Sequence, residues 1–446
     1  MRQNPAIVAE LLDELIEFLK IPSVSTGGGD AGALHRAAEW VRERIEDAGG
    51  RAELVSVDGG HPMVVGELRS EQASVPTVLA YGHHDVQHPG PLDAWESPPF
   101  EPEERDGRLY ARGASDDKGN FLPLLHVACE MARSGELPVN VRFLVEGEEE
   151  VGSRSALRWI REDRGDADCA LAFDSKMVDE DTPAITMAAR GMVSASVEVR
   201  TATRDLHSGM YGGAVLNAAH VLAAMLGEVL PGADGRVRPE LRVGAVPAGQ
   251  AERHSWERLP PGDELIEAVG GRPVTETAGE EYYERTGAET ALDVNGIWVG
   301  EPRSIVPATA RAEVSVRLAP GQSAGEVAVA LEWMLRSAAP KGAEVSVDLE
   351  LADPALFDSG DPALRLAAEA IERACGTAPA FIRVGGTLPI LAELAERRIP
   401  TVLSGFALDD DAIHAPNESF RLESLHLGEL ATRELYTGLA NLPRSR

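Results

Sequence analysis

The chain has few cysteines and no long apolar run. Cys129, Cys169 and Cys375 are the only cysteines in 446 residues. An odd number of cysteines spaced this far apart indicates neither a disulfide framework nor a cysteine-based zinc ribbon. No apolar run is long enough to cross a bilayer, and the N-terminal segment lacks the apolar core of a signal peptide. We therefore expect a cytoplasmic protein with no membrane partner.

Basic residues are also scarce. The chain has 42 Lys and Arg against 73 Asp and Glu, a formal net charge of −31. A polyanion would be repelled by such a chain unless a basic cluster compensated, and the sequence has none, which argues against a nucleic acid partner. Part of the acidity can belong to carboxylates that are neutralised by bound cations. The hydrophobic fraction of 43% and the length together allow two or three globular domains.

Short apolar strands alternate with helical segments in the first part of the chain and again near its end. The predicted strands are 77–81, 139–145, 169–173 and 400–403. The predicted helices are 5–20, 32–48, 121–133, 153–162, 362–375, 389–397 and 422–442. Such alternation predicts an α/β fold, a sheet with helices on both faces.

The middle of the chain has a different pattern of apolar residues. From Gly191 apolar residues alternate with period two, and the order of predicted elements becomes β-α-β-β-α-β, the split βαβ pattern of a ferredoxin-like α+β domain. We therefore predict an inserted domain at 189–353, with 1–188 and 354–446 forming one discontinuous domain. The segment 231–285 is rich in Pro, Gly and charge and is predicted to form surface excursions.

Potential metal ligands follow several of the predicted strands. His83 and Asp85 follow the first strand, Glu148-Glu149-Glu150 the second, Asp174 the third, and His414 lies in a polar loop after the last. Residues at the carboxyl ends of strands in an open α/β sheet converge although they are far apart in sequence. Histidine and carboxylate are the ligands of zinc-type ions, so the pattern indicates a hydrolytic metal centre.

Each stretch also has a structural alternative. His83 and His414 can be ordinary loop histidines, and Asp174 an ordinary turn residue. Asp116, in the turn 112–120, can be a helix N-cap, or its two oxygens can bridge a pair of cations. The glutamates at 148–150 can form a solvated loop, although successive carboxylates repel each other unless a metal or a proton intervenes.

Taken together and in order, these stretches resemble the signature of the M20 metallopeptidases. That family contains carnosinase-like dipeptidases, glutamate-releasing carboxypeptidases, and acetylornithine and succinyl-diaminopimelate deacylases. The matching landmarks are GHHDVQ at 82–87, RGASDDKG at 112–119, EEVGS at 149–153, DLHSG at 205–209, RVGGT at 383–387 and HAPNE at 414–418. The resemblance covers nearly the whole chain. It implies a mixed-sheet zinc-peptidase catalytic domain and an inserted lid and dimerisation domain.

The resemblance also implies the roles of individual residues. Two divalent metal ions are expected, most simply Zn²⁺, with Mn²⁺ or Co²⁺ as alternatives. His83 and Asp174 would hold one ion, His414 and Glu150 the other, and Asp116 would bridge both. A cis peptide bond is expected between Asp116 and Asp117. Asp85 would orient His83, and Glu149 would be the general base that takes a proton from water and passes it to the departing amine.

Further residues are implied in substrate binding. His207 would reach the active site of a neighbouring subunit, which implies a homodimer; the alternative for the DLHSG stretch is a turn with a helix cap. Arg383 and Arg317 resemble cations that hold a substrate carboxylate, beside the turn formed by Gly385, Gly386 and Thr387. Arg317 can instead be a surface residue. Many relatives carry an acidic residue where this chain has Val384, so substrate placement there departs from the family pattern.

Smaller sequence differences between members of the family indicate the substrate class. Position 174 is Asp, where deacylases and glutamate-releasing members usually have Glu, and this difference together with the GHHDVQ form favours a dipeptidase. We therefore expect hydrolysis of an amide bond in a dipeptide or small peptide with a free carboxylate. A deacylase of N-acyl amino acids is the alternative. A non-catalytic binding protein on the same scaffold is a more distant one, because such a protein would be expected to lack Glu149 or a metal ligand.

Overall fold

A computed structural model describes residues 5–163, 165, 167–386 and 389–443, without the side chains of residues 5–8 and 28. Its α-helices are α1 Pro5–Leu19, α2 Ala31–Asp47, α3 Lys118–Arg133, α4 Arg154–Glu162, α5 Ser208–Tyr211, α6 Ala218–Val229, α7 Gln250–Trp256, α8 Gly262–Ala268, α9 Tyr282–Gly287, α10 Ala324–Ala338, α11 Pro362–Cys375, α12 Pro389–Glu396 and α13 Leu422–Leu439. Its strands are β1 Arg51–Val55, β2 Met63–Leu68, β3 Thr77–His83, β4 Glu103–Arg105, β5 Arg108–Tyr110, β6 Asn140–Glu146, β7 Cys169–Phe173, β8 Ala184–Ala189, β9 Gly191–Arg200, β10 Leu206–His207, β11 Ala291–Val299, β12 Ile305–Val306, β13 Thr309–Leu318, β14 Glu344–Ala352, β15 Ala355–Leu356, β16 Ala380–Val384, β17 Thr401–Ser404 and β18 Ser419–Arg421.

The described chain divides into two compact units. The first comprises the residues up to Met187, Phe357–Phe381 and the residues from Pro389 onward; the second comprises Ala188–Leu356 and the stretch that begins at Ile382. Strands β8 and β16 carry the chain across the boundary. Each unit has its own sheet and its own apolar core.

A mixed sheet forms the centre of the first unit. Within that unit its strand order is β1-β2-β6-β3-β7-β17-β8. Strands β6, β3, β7 and β17 run parallel to their neighbours in this group, whereas β1, β2 and β8 pair antiparallel. All five residues of β7, the apolar run Cys169–Phe173, are buried, as expected for a strand covered on both sides. The four parallel strands therefore end at the same edge of the sheet.

Two groups of helices pack on this sheet. Helices α1, α2 and α13 contact α3, and α13 also contacts α11, whereas α4 and α12 contact each other; β17 contacts both α11 and α12. Capping residues mark where two of these helices begin. Asp30 caps α2, its side chain accepting from the N–H groups of Gly32 and Ala33, and Asp361 caps α11, which starts with Pro362. The prediction of an α/β fold with helices on both faces is confirmed.

The second unit is built on a four-stranded antiparallel sheet. Its strand order is β11-β13-β9-β14. With α6 after β9 and α10 after β13, the order along the chain is β-α-β-β-α-β, the predicted pattern. Alternate residues of β9 are buried, and they share an apolar core with α6 and α10 that includes Val193, Val197, Leu222 and Leu331.

The structure contains several elements that the sequence did not predict. The segment 231–285 was expected to form only surface excursions, but it contains α7, α8 and most of α9, with Glu252 and Ser255 buried. The strands β1, β2 and β8 were not predicted. The small antiparallel sheet β18-β5-β4 was also missed, because strands of three residues carry too little periodicity. Among the described helices, none is both long and apolar enough to span a bilayer.

Candidate metal centre

Side chains at the ends of the four parallel strands converge in the first unit. His83 is the last residue of β3, Glu149 and Glu150 follow the end of β6, Asp174 comes directly after β7, and His414 lies in the loop after β17. Because these strands end at one edge of the sheet, residues separated by more than 300 positions reach one place.

The five predicted metal ligands form two overlapping groups. One consists of His83, Asp116 and Asp174 and the other of Asp116, Glu150 and His414; within each group the potential ligand atoms all lie within 4.8 Å of one another. Each group offers one imidazole and two carboxylates, a donor set that suits Zn²⁺. Asp116 belongs to both groups.

Asp116 faces each histidine with a different oxygen. Nε2 of His83 lies 3.0 Å from Oδ1, and Nε2 of His414 lies 2.9 Å from Oδ2. The peptide bond that joins Asp116 to Asp117 is cis, as expected. With one oxygen toward each histidine, the carboxylate of Asp116 is placed where it can bridge two cations.

Two buried carboxylate oxygens of the proposed ligands have no hydrogen-bond partner among the described residues. They are Oε1 of Glu150 and Oδ2 of Asp174. An unpaired buried carboxylate oxygen is costly, and a cation would satisfy it. Nε2 of His414 also lies 3.2 Å from Oε2 of Glu150. The backbone φ of His414 is 62°, a positive value that is uncommon for a non-glycine residue. The residues present therefore fit a pair of divalent ions.

The ionisable groups perturb one another strongly. Burial raises the pKa of Asp174 to about 7 and that of Glu149 to about 9, and neighbouring carboxylates add to both shifts. Hydrogen bonds to Asp116 and Glu150 raise the pKa of His414 to about 10. Burial opposes ionisation of Asp116, but hydrogen bonds to the two histidines outweigh it and lower the pKa of this carboxyl. Such a cluster holds protons that a bound cation would displace.

Asp85 contacts more than the histidine it was predicted to orient. Nδ1 of His83 lies 3.0 Å from the backbone carbonyl of Asp85 and 3.5 Å from its carboxylate. The same carboxylate accepts from the backbone N–H groups of Glu149, at 3.3 Å, and Glu150, at 3.2 Å. Asp85 therefore links the end of β3 to the turn that carries both glutamates.

Several residues that support the site were not singled out from the sequence. The hydroxyl of Ser25 donates to Oδ2 of Asp85 at 2.6 Å, and the amide of Gln87 donates to Oε2 of Glu150 at 3.0 Å. Glu418 and Arg112 form a buried ion pair behind Asp116. Gln87, Arg112 and Glu418 lie within the motifs quoted above, whereas nothing in the sequence distinguishes Ser25.

The remaining predicted residues lie in the second unit. His207, an exposed residue of β10, accepts on Nδ1 from the N–H of Gly209, in the helix-cap role that was the alternative reading. Arg317 donates to the carbonyl of Gly385 at 3.3 Å. Gly386 follows, and a Cβ added at Gly385 or Gly386 would have no described atom within 4 Å. Thr387 lies outside the described residues.

Arg383 is held by its own unit. Its guanidinium donates to both oxygens of Glu252, at 2.6 and 3.0 Å, and to the carbonyls of Val246 and Pro247. The side chain is 2% exposed. The binding of a substrate carboxylate by Arg383 stays a prediction. In this structure the guanidinium is paired with the carboxylate of Glu252.

Comparison with known proteins gives matches over most of the chain. The family model described as Peptidase family M20/M25/M40 matches residues 79–436. The cysteinylglycine-S-conjugate dipeptidase of Corynebacterium striatum is 27% identical over 423 residues, covering 92% of this chain and 91% of that protein. The beta-Ala-His dipeptidase of Homo sapiens is 29% identical over 377 residues, covering 80% and 73%. The crystal structure of the M20 family metallo-carboxypeptidase Sso-CP2 from Sulfolobus solfataricus superposes with a TM-score of 0.83 at 27% identity, covering 97% of this chain and all of that one.

Proposed function

Since the chain belongs to peptidase family M20/M25/M40 and is a metallopeptidase, we propose that it hydrolyses the amide bond of dipeptides or small peptides that end in a free carboxylate. The observation that carries this proposal is the pair of ligand groups that share Asp116. Of the relatives compared, both sequence matches are named dipeptidases, and Asp at position 174 favours the same class.

Two divalent ions, most simply Zn²⁺, are proposed at the two groups. His83 and Asp174 would hold one ion and His414 and Glu150 the other, with Asp116 between them. When bound, the ions supply Lewis-acid chemistry that polarises the amide carbonyl and makes water more acidic. Because both ions would share Asp116 as a ligand, they would lie close together beside the same amide bond of the substrate.

Glu149 is the proposed general base. Its carboxyl group is part-buried next to the ligands, and the positive charge of bound ions would offset the burial that raises its pKa. It would then be ionised, able to take up a proton from water and release it to the departing amine nitrogen. Its backbone N–H donates to the carboxylate of Asp85, which restrains the turn that carries it. A base held in this way needs little reorganisation as the proton moves.

Substrate binding is proposed to involve the second unit. His207 would donate to the developing charge of the carbonyl oxygen in the site of a neighbouring subunit of a homodimer. Arg317 is the proposed cation for the substrate carboxylate, because its guanidinium has a single described acceptor, the carbonyl of Gly385. Arg383 would join it only if the substrate displaced Glu252.

A deacylase of N-acyl amino acids would use the same ions and the same base. The two functions are separated by assaying a panel of dipeptides against N-acetyl and N-succinyl amino acids, with Zn²⁺, Mn²⁺ or Co²⁺ added. Higher kcat/KM on the dipeptides, lost when their carboxylate is amidated, supports the proposal. Higher kcat/KM on the acyl amino acids would replace it with the deacylase.

A further inference from the structure

Behind the metal centre a buried glutamate collects donors from the loop that carries Asp116. Glu418 is fully buried, four residues after His414. Its Oε2 accepts from Nη1 of Arg112 at 2.6 Å and from the N–H of Gly113 at 3.0 Å. Its Oε1 accepts from the N–H of Ser115 at 3.0 Å and from the N–H of Asp116 itself at 3.1 Å.

We propose that Glu418 is a positioning residue for the metal centre: its carboxylate fixes the backbone of Asp116, the shared ligand, relative to the loop that carries His414. The inference rests on the proposed metal-dependent function and goes beyond it. Among the described residues, Glu418 makes no hydrogen bond to the side chains of the five proposed ligands and would act through the backbone of Asp116.

The geometry favours positioning over a role in the core alone. Three of the four donors are backbone N–H groups of the short turn 113–116, and the last of them belongs to the shared ligand. A carboxylate that accepts several N–H groups fixes their relative positions, and charge-assisted bonds are stronger than neutral ones. A shift of Glu418 would therefore move the Asp116 backbone directly.

Arg112 also connects the loop that carries Asp116 to the loop that carries His414. Besides Glu418, its guanidinium donates at 3.3 Å to the carbonyl of Ala415, the residue after His414, and at 3.3 Å to the carbonyl of His88. The N–H of Ala111 donates to the carbonyl of Glu418 at 3.1 Å. The loops that supply Asp116 and His414 are thus joined by a buried ion pair with backbone bonds on both sides.

The test is metal affinity after replacing Glu418 with glutamine. Gln keeps the size of the side chain but turns one acceptor oxygen into a donor NH₂ group, which then faces N–H groups. Loss of a partner that orients a metal ligand typically weakens binding 10- to 100-fold. We therefore expect Glu418→Gln to bind Zn²⁺ or Co²⁺ about 10- to 100-fold more weakly than the wild type in equilibrium dialysis, with an altered visible spectrum of bound Co²⁺.

Glu429→Gln is the matched control. Glu429 is also buried in the first unit and accepts from an arginine, Arg433, at 3.1 Å, but its described hydrogen bond and ion pairs lie within α13, away from both loops. We expect this variant to bind metal like the wild type. Urea unfolding of the metal-free proteins measures how much stability each variant loses.

The outcomes separate the two proposals. Glu418→Gln that loses stability but binds both ions with wild-type affinity and a wild-type Co²⁺ spectrum would overturn the positioning role. Wild-type protein that binds no metal would instead remove the proposed function. If Glu418→Gln does not fold, we would measure Glu418→Asp in its place. This variant keeps the negative charge but shortens the side chain by one methylene. Unchanged metal affinity in Glu418→Asp would likewise overturn the positioning role.

Discussion

The backbone N–H of Glu149 donates to the carboxylate of Asp85 at 3.3 Å, so the proposed base is anchored by the residue that also faces His83. The anchor is a backbone contact. Changing the side chain of Glu149 therefore leaves the turn in place, which makes the base directly testable.

Replacement of Glu149 by Gln should abolish most turnover while the metal stays bound. The amide cannot accept a proton from water, and loss of a general base typically lowers kcat about 10²- to 10⁴-fold. Steady-state kinetics with a dipeptide and metal analysis of the same sample measure the two quantities. Wild-type kcat in the variant would eliminate Glu149 as the base.

Removal of metal should abolish hydrolysis reversibly. Asp174 and Glu150 each keep an unpaired buried oxygen in the described structure, which a cation would satisfy. Dialysis against a chelator followed by addition of Zn²⁺, Mn²⁺ or Co²⁺ is expected to remove and then restore activity, with about two ions bound per chain at saturation. Full activity in demonstrably metal-free protein would contradict the proposal.

Metal binding should release protons and weaken as the pH falls. Hydrogen bonds to Asp116 and Glu150 raise the pKa of His414 to about 10, and burial raises that of Asp174 to about 7, so at neutral pH His414 carries a proton and Asp174 is partly protonated. Metal binding requires both groups to be deprotonated. As the pH falls through about 7, a growing fraction of Asp174 is protonated, so affinity should drop further. Calorimetry in buffers of different ionisation enthalpy counts the protons, and a count of zero at pH 7 would refute the expectation.

A site shared between subunits should show complementation. We expect His207→Ala and Asp116→Ala to be inactive alone. In an equal mixture about half of the dimers are mixed, and each mixed dimer has one intact site of two, so activity should recover to about a quarter of the wild-type value. The assay needs subunit exchange, which labelled chains report. Exchange without any recovery would place His207 outside the neighbouring site.

The two arginines of the second unit should behave differently. Arg383→Ala leaves Glu252 buried without its partner and is expected to cost about 3–5 kcal/mol of unfolding free energy. Arg317→Ala should instead raise KM for dipeptides, without a matching change for their C-terminal amides. Urea unfolding and kinetics test both variants, and Arg383→Ala combined with Glu252→Ala should recover part of the lost stability. A stable Arg383→Ala variant with a raised KM for free dipeptides would make Arg383 the substrate cation.

The sequence predicts best what is buried. Strand β7 was predicted to the residue because its apolar run is unbroken, and β9 was recognised from Gly191 onward because its apolar residues alternate. Strand β1 was missed because none of its residues is fully buried, so its side chains carry no clear period. Helix α7 is only seven residues long and lies in a stretch rich in Pro, Gly and charge.

The same distinction applies to the metal centre. His83 and Asp174 could be placed by reasoning, because each ends a recognisable parallel strand. Asp116 follows no predicted strand, so its position came from the family resemblance. The anchoring of Asp85 by Ser25 joins residues 60 positions apart through one hydroxyl, a contact that no local pattern encodes.

The route of the chain through the first unit also sets an order of assembly during synthesis. On the ribosome His83, Asp116, Glu150 and Asp174 emerge first, then the whole of the second unit, and only afterwards β17 and the loop with His414. Strand β17 must then enter the sheet between β7 and β8, beside strands made long before. An unfinished chain consequently lacks one imidazole of the pair, and if His414 binds metal as proposed, we expect the nascent chain to be inactive toward peptides until that loop has been translated.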